Sequence, residues 1–252
     1  MASSNREQVI TSAKYDAVLL DLDGVITDTA GLHAASWKQM FDDYLRKRAA
    51  RRGEAFHAFD LDVDYRLYVD GKPRFDGVRD FLESRGIHVP EGNMDDPPHA
   101  ETVIGLGNRK NELVNKVIEE IGVQPYEGSV RLIHQLRDRG VKMAVVTSSQ
   151  NCTAVLRAAK LDNIFEVLVD GNTLHEQRLT GKPAPDMFLL AAKLLGVEPR
   201  RAIVIEDAIS GVQAGSNGNF GLVIGVARKD NAEELLHNGA QLVVNDLGEL
   251  VT

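Results

Sequence analysis

Two aspartates spaced i, i+2, Asp21 and Asp23, stand directly behind the apolar run Ala17–Leu20 and directly before Gly24. Side chains alternate along an extended chain, so this spacing sends both carboxylates to one side at the strand's carboxyl end. Two acids held together there suit a divalent cation, or a nucleophile paired with a general acid/base. A solvated acidic turn would use the same letters. A second acidic pair, Glu206-Asp207, closes the apolar run Ala202–Ile205 and is suited to completing a magnesium site. Hydroxyls follow another apolar run in Thr147-Ser148-Ser149-Gln150-Asn151, at an expected helix start, where they can hold phosphate oxygens or simply cap the helix. Lys182 is presented between turn residues in Gly181-Lys182-Pro183-Ala184-Pro185-Asp186, an ammonium placed to counter phosphate. Gly211-Val212-Gln213-Ala214-Gly215 then supplies a close-packed helical turn.

Gathered in one cleft, Asp21, Asp23, Glu206 and Asp207 would place four negative charges together, and a phosphate would add more. Mg²⁺ with Lys182 is the natural complement, because magnesium takes a few carboxylates together with phosphate and water.

Positioning these groups requires a sheet. The runs 17–20, 142–146, 167–169, 202–205 and 221–226 read as short buried strands, separated by helical patterns over 128–139, 152–159 and 185–195. Strands alternating with helices predict crossover connections and a parallel sheet covered on both faces. Between about Thr29 and Val123 the character changes to charge, aromatics and helical patterning without comparable strands. The expectation is an α/β, Rossmann-like core formed by residues 1–28 and 124–252, with an α-helical cap inserted at 29–123. Such a cap would close over the carboxyl edge of the sheet, where open α/β sheets bind ligands.

The whole-chain properties restrict the partners. With 252 residues, 43% of them hydrophobic, the chain can bury a substantial core in one large or two modest domains. A net charge of −8 gives no global case for nucleic acid or an anionic membrane. The single cysteine, Cys152, rules out a disulfide framework within the monomer and fits a reducing compartment. Residues 1–14 are polar and carry no apolar signal core, and no apolar run approaches the roughly 20 residues of a membrane span. A soluble, cytoplasmic, monomeric protein is expected.

In order and context, these motifs resemble the haloacid dehalogenase superfamily of phosphotransferases. The resemblance implies that Asp21 is the nucleophile that becomes an aspartyl phosphate and that Asp23 is the general acid/base. It implies that Thr147 and Lys182 hold the phosphoryl oxygens. Mg²⁺ would be ligated by Asp21, Asp207 and the backbone carbonyl of Asp23, with Glu206 beside it. The run Asp21–Ala30 with His33 and Trp37, then Gly71-Lys72-Pro73-Arg74 with Asp76, Arg109-Lys110-Asn111, and Asn151 resemble the β-phosphoglucomutase subgroup. That likeness implies that Arg74 meets the distal phosphate of a phosphosugar and that His33 couples cap closure to placement of the acid/base. It also implies that Gly71, Lys110, Asn111, Ser148 and Asn151 line the substrate.

The chain departs from the subgroup at Asp70, where a lysine is usual, at Thr147-Ser148, where serine and alanine are usual, and in a longer cap around 46–64 and 88–99. An acid beside a phosphate site needs compensation, from Lys72 or Lys110. The alternating acids of Asp60-Leu61-Asp62-Val63-Asp64 read as a surface loop, and Arg46-Lys47-Arg48 with Arg51-Arg52 as a solvated basic helix face. Cys152 reads as a packed thiol. The implied activity is Mg²⁺-dependent conversion of β-D-glucose 1-phosphate to glucose 6-phosphate through β-glucose 1,6-bisphosphate. A sugar-phosphate phosphatase with the same aspartyl-phosphate chemistry is the alternative, and a non-catalytic sugar-phosphate sensor is a third class.

Overall fold

The computed structural model describes residues 9–11, 13–228 and 230–252. The stretch read above for a signal core, residues 1–14, lies largely outside them. Two compact units divide the chain: Met1–Asp28 with Val123–Thr252, and Thr29–Gly122.

The first unit holds a six-stranded sheet in the order β3-β2-β1-β4-β5-β6. Its strands are β1 (Ala17–Leu20), β2 (Lys142–Val146), β3 (Val167–Val169), β4 (Ala202–Glu206), β5 (Leu222–Val226) and β6 (Leu242–Val244), and every pairing is parallel. All four residues of β1 are fully buried, which is why the strand reads as a continuous apolar run: a central parallel strand is covered on both faces. Ala17 and Leu19 share one cluster with Met187, Phe188 and Ala191 of the helix Asp186–Leu195. Each large side chain so buried, Leu19, Met187 and Phe188 among them, contributes about 1.5–3 kcal/mol.

The edge strand β6 was not expected. Its three residues are too short a run to stand out, and only the pairing of Ile224 with Leu242 reveals it. The fifth strand begins one residue later than read, at Leu222, since the Gly221 amide turns back to the carbonyls of Pro199 and Ala202. The helix read from Pro185 starts at Asp186, with Pro185 just outside it.

Helices α4 (Glu127–Asp138), α5 (Cys152–Ala158), α6 (Gly171–Glu176), α7 (Asp186–Leu195) and α8 (Ile209–Asn217) belong to the first unit, while α1 (Ala30–Arg52), α2 (Arg74–Ser84) and α3 (Val103–Ile121), with a turn of π-helix at Tyr65–Val69, build the second. Its core is aromatic: Phe41 lies 5.3 Å from Trp37, 5.1 Å from Phe59 and 4.2 Å from Phe81 between ring centres. The loop after α1 is tied down by the buried Asp42 carboxylate, which accepts from the Phe59 amide at 2.8 Å. The acidic run at 60–64 is less of a surface loop than expected. Asp60 and Asp62 are exposed, but Asp64 is buried and accepts from Arg85 at 2.6 Å.

Candidate active site

The first unit brings its candidate groups together at the carboxyl ends of β1, β2 and β4. Leu20 is in register with both Val145 and Ile205, so the next row holds Asp21, Val146 and Glu206. The Asp21 amide still donates to the Ile205 carbonyl at 3.0 Å, which fixes its backbone as the last rung of the ladder. The chain runs from β1 through β2 to β3 on one side and then crosses back to β4 on the other side of β1. This is the point where strand order reverses and where open α/β sheets bind ligands.

Lys182 reaches into this row from the loop before α7 (Asp186–Leu195). Its ammonium donates to Asp21 Oδ1 at 2.6 Å, Glu206 Oε1 at 2.6 Å and the Val146 carbonyl at 3.0 Å. All three of its donors are therefore placed, and the residue is 2% exposed. Burial pulls the Lys182 ammonium down, but the carboxylates of Asp21 and Glu206 outweigh it and hold the lysine protonated. Burial raises the Asp21 carboxyl well above the ordinary range; Lys182 offsets part of this, while Glu206 and Asp23 push it further up.

Glu206 is fully buried and fully engaged. Its Oε2 accepts from the amides of Asp207 at 3.0 Å and Ala208 at 3.1 Å, ahead of α8 (Ile209–Asn217). A Cβ at Gly211 would overlap the Glu206 carboxylate, so the glycine read as close packing makes room for this side chain. Gly24, at φ +88°, serves Asp207 in the same way: a side chain there would overlap its carboxylate, and the backbone conformation itself favours glycine.

One carboxylate oxygen from each of Asp21, Glu206 and Asp207 lies within 4.8 Å of the others. The donor set is all oxygen and carries more negative charge than Lys182 neutralises, which fits a hard divalent cation such as Mg²⁺. Both oxygens of Glu206 and one of Asp21 are already engaged, Glu206 by Lys182 and two amides and Asp21 by Lys182.

Asp23 lies outside this three-carboxylate cluster. It sits in the turn after β1, bridged to Thr27, and its Oδ2 accepts from the Thr147 hydroxyl at 3.4 Å. The same hydroxyl accepts from the Ser149 amide at 3.1 Å. Ser149 in turn takes the Asn151 amide at 3.2 Å ahead of α5 (Cys152–Ala158). Ser148 and Asn151 are half-buried in this loop. Cys152, fully buried behind it, has its thiol pushed up by burial and by Asp170, Asp23 and Asp21, which is the packed, inert thiol expected.

Sequence reading missed Arg228, Tyr126 and Asp246 around the turn after Asp23. Arg228, just past β5, donates through Nε to the Gly24 carbonyl at 2.8 Å and through Nη1 to Asp246 Oδ2 at 3.3 Å. Its guanidinium lies 3.6 Å from the centre of the Tyr126 ring. The Tyr126 hydroxyl donates to Asp28 at 2.8 Å. None of the three belongs to a motif, and a lone arginine after a strand carries no spacing signal.

The second unit holds the remaining candidates on separate elements. His33 is on α1, Gly71 (φ +69°) precedes α2, Arg74 opens α2, and Lys110 and Asn111 lie on α3. Lys110, 5% exposed, is 2.8 Å from His33 Nδ1 and 5.0 Å from the Trp37 ring centre. An ammonium only donates, so His33 Nδ1 accepts and the ring proton sits on Nε2. Arg74 Nη2 donates to Asn108 at 3.3 Å and its guanidinium covers Phe75; burial pulls it down to about 10, still cationic at neutral pH. Of the lysines that could compensate Asp70, Lys72 is engaged with Asp80 at 2.5 Å and Lys110 with His33.

The basic face of α1 is not simply solvated. Arg48 pairs with Glu54 and Arg51 with Glu101, each at 2.6 Å, beside a cleft of about 530 Å³. Among the described residues no helix is long and apolar enough to cross a membrane.

Comparison with known proteins agrees with this architecture. The family profile of haloacid dehalogenase-like hydrolases matches residues 15–219. A β-phosphoglucomutase of Mycobacterium tuberculosis is 52% identical over 241 residues, covering 94% of this chain and 92% of its own. A β-phosphoglucomutase of Bacillus subtilis is 32% identical, covering 93% and 91%. Among solved structures, β-phosphoglucomutase from Clostridium difficile superposes with a TM-score of 0.72 at 26% identity, covering 94% of this chain and 93% of that one. The chain belongs to the haloacid dehalogenase-like hydrolase family and is β-phosphoglucomutase-like within it.

Proposed function

From that membership as premise, we propose that the protein is a Mg²⁺-dependent phosphosugar mutase that converts β-D-glucose 1-phosphate to glucose 6-phosphate through β-glucose 1,6-bisphosphate. The observation that carries the reading is the buried ammonium of Lys182 set between Asp21 and Glu206 at the point where strand order reverses. The 52% identity to a β-phosphoglucomutase supports the choice of reaction within the family.

In this reading Asp21 is the nucleophile. Its carboxylate oxygen forms the bond to phosphorus as the bond from phosphorus to the sugar oxygen breaks, and Asp23 delivers a proton to that leaving oxygen. With β-glucose 1,6-bisphosphate as the donor this step releases glucose 6-phosphate. Asp23 then removes the proton from the C6 hydroxyl of an incoming β-glucose 1-phosphate as that oxygen bonds to phosphorus and the bond to Asp21 breaks, which re-forms the bisphosphate and regenerates Asp21. Lys182 and the Thr147 loop steady the phosphoryl oxygens. A bound Mg²⁺, held by Asp21, Asp207 and the Asp23 carbonyl, would keep Asp21 ionised and draw charge from the transferring group. Glu206 anchors Lys182 and the start of α8.

A mutase must also bind a second phosphate and keep water from the aspartyl phosphate. Arg74, cationic and able to bind phosphate bidentately, takes the distal phosphate in this reading. Lys110 and Asn111 address the sugar, and His33 accepts from Lys110 and orients it.

The test supplies β-glucose 1-phosphate, Mg²⁺ and a trace of glucose 1,6-bisphosphate, and follows glucose 6-phosphate and free phosphate together. The reading predicts glucose 6-phosphate well ahead of phosphate, and none from Asp23→Ala. Phosphate without glucose 6-phosphate would leave a sugar-phosphate phosphatase instead.

A further inference from the structure

The turn Gly24–Asp28 follows the proposed acid/base, Asp23, and ends the first of the two chain segments that make up the first unit. Its carbonyls are almost all claimed. Thr27 O takes the Gly24 amide at 2.8 Å, Ile26 O takes the Tyr126 amide at 3.0 Å, and Val25 O takes the Ser129 hydroxyl at 2.6 Å. Gly24 O, the carbonyl next after Asp23, is held by a side chain distant in sequence, Arg228 Nε at 2.8 Å. The guanidinium is itself fixed on three sides. It stacks on Tyr126 at 3.6 Å, and its Nη1 reaches the Asn245 carbonyl at 3.2 Å and Asp246 Oδ2 at 3.3 Å. Asp246 is immobilised in turn. It caps the turn Leu247–Leu250 in a reciprocal capping box with Glu249, and it lies so close to Gly128 that a Cβ there would overlap it. Tyr126 donates to Asp28 at the far end of the same turn.

We propose that Arg228 is a positioning residue for Asp23: the guanidinium, itself held by Tyr126 and Asp246, clamps the Gly24 carbonyl and so fixes where the Asp23 carboxylate stands. The planar fork is what the place requires, because one group must stack on a ring while donating in two directions, to Gly24 O and to Asp246. A general acid displaced by about an ångström loses much of its effect, while the nucleophile, pinned by its own ladder hydrogen bond, is unaffected.

This inference rests on the proposed roles of Asp21 and Asp23, and the test separates the two. Phosphorylation of Asp21 is followed by mass with two donors, glucose 1,6-bisphosphate and acetyl phosphate. With acetyl phosphate the Asp21 oxygen bonds to phosphorus as the bond to the acetyl oxygen breaks, and acetate departs as a stable anion that needs no proton. With the sugar donor, the leaving oxygen needs the proton that Asp23 supplies. Arg228→Met keeps an apolar stem on Tyr126 and removes every donor. It should slow labelling from the sugar bisphosphate by at least about tenfold and change labelling from acetyl phosphate by less than about twofold. Equal losses with both donors, or no loss with the sugar donor, would overturn the proposal. Should Arg228→Met fail to fold, Arg228→Lys, which keeps the charge but cannot reach Gly24 and Asp246 together, carries the same comparison. Wild-type protein labelled by neither donor would overturn the functional reading and this inference with it.

Discussion

The candidate groups of the two units are held in different ways. In the first unit they are pinned where strands end: Asp21, Glu206 and Lys182 meet at 2.6 Å inside the protein, and the register of three adjacent strands determines where. In the second unit His33, Arg74, Lys110 and Asn111 come from three helices. There the polar contacts lie on an aromatic core, with Lys110 near Trp37 and Arg74 over Phe75. In the proposed mechanism, the groups assigned to phosphoryl transfer are fixed by the backbone register of adjacent strands, and those assigned to the choice of acceptor are fixed by side-chain packing between helices.

The largest effect should come from breaking the charge cluster of the first unit. Lys182→Met leaves Asp21 and Glu206 buried without their counter-ion, so it should abolish turnover and cost about 3–5 kcal/mol of stability by urea unfolding. A variant as stable as wild type would show that the ammonium is not what holds the carboxylates together. Next comes the second unit. Arg74→Ala should lower mutase kcat/KM on the order of 100-fold while leaving acetyl-phosphate labelling of Asp21 intact, because it removes the proposed distal-phosphate contact and no group of the core. A fall in labelling as large as the fall in turnover would erase the division of labour between the units.

A smaller effect is expected where packing supports the cluster. Gly211→Ala pushes a methyl into the Glu206 carboxylate and should destabilise by about 1–3 kcal/mol, again read by urea. The smallest concerns Cys152. Burial holds its thiol above the usual range, so at pH 8 it stays protonated, and it should be alkylated only on unfolding. Ready alkylation of the native protein would mean that the loop behind Thr147 opens.

How much was legible in sequence follows the same division. β1, β2 and β4 announce themselves because a central parallel strand is apolar on both faces, and the acids that close β1 and β4 and the hydroxyls that follow β2 stand out against those runs. Glu206 and Asp207 look equivalent as letters, yet Glu206 is fully buried against Lys182 and two amides while Asp207 is only half-buried beside it, a difference only the fold supplies. The edge strand at Leu242 and the Arg228–Tyr126–Asp246 clamp were invisible. Their residues are brought together by strand order, with no motif spacing to mark them. In the insertion, patterning identified helices, but the burial of Asp64 on Arg85 and the pairing of Lys72 with Asp80 depend on how those helices pack.

The most direct test of the account is a chase of the phosphorylated enzyme. Asp21 is labelled with radioactive phosphate, and the protein is then mixed with Mg²⁺ and either buffer alone or β-glucose 1-phosphate. The account predicts that the label passes into glucose 1,6-bisphosphate and then hexose phosphate much faster than it reaches free phosphate, and only slowly to water without sugar. Release to free phosphate at the same rate with and without sugar would contradict it.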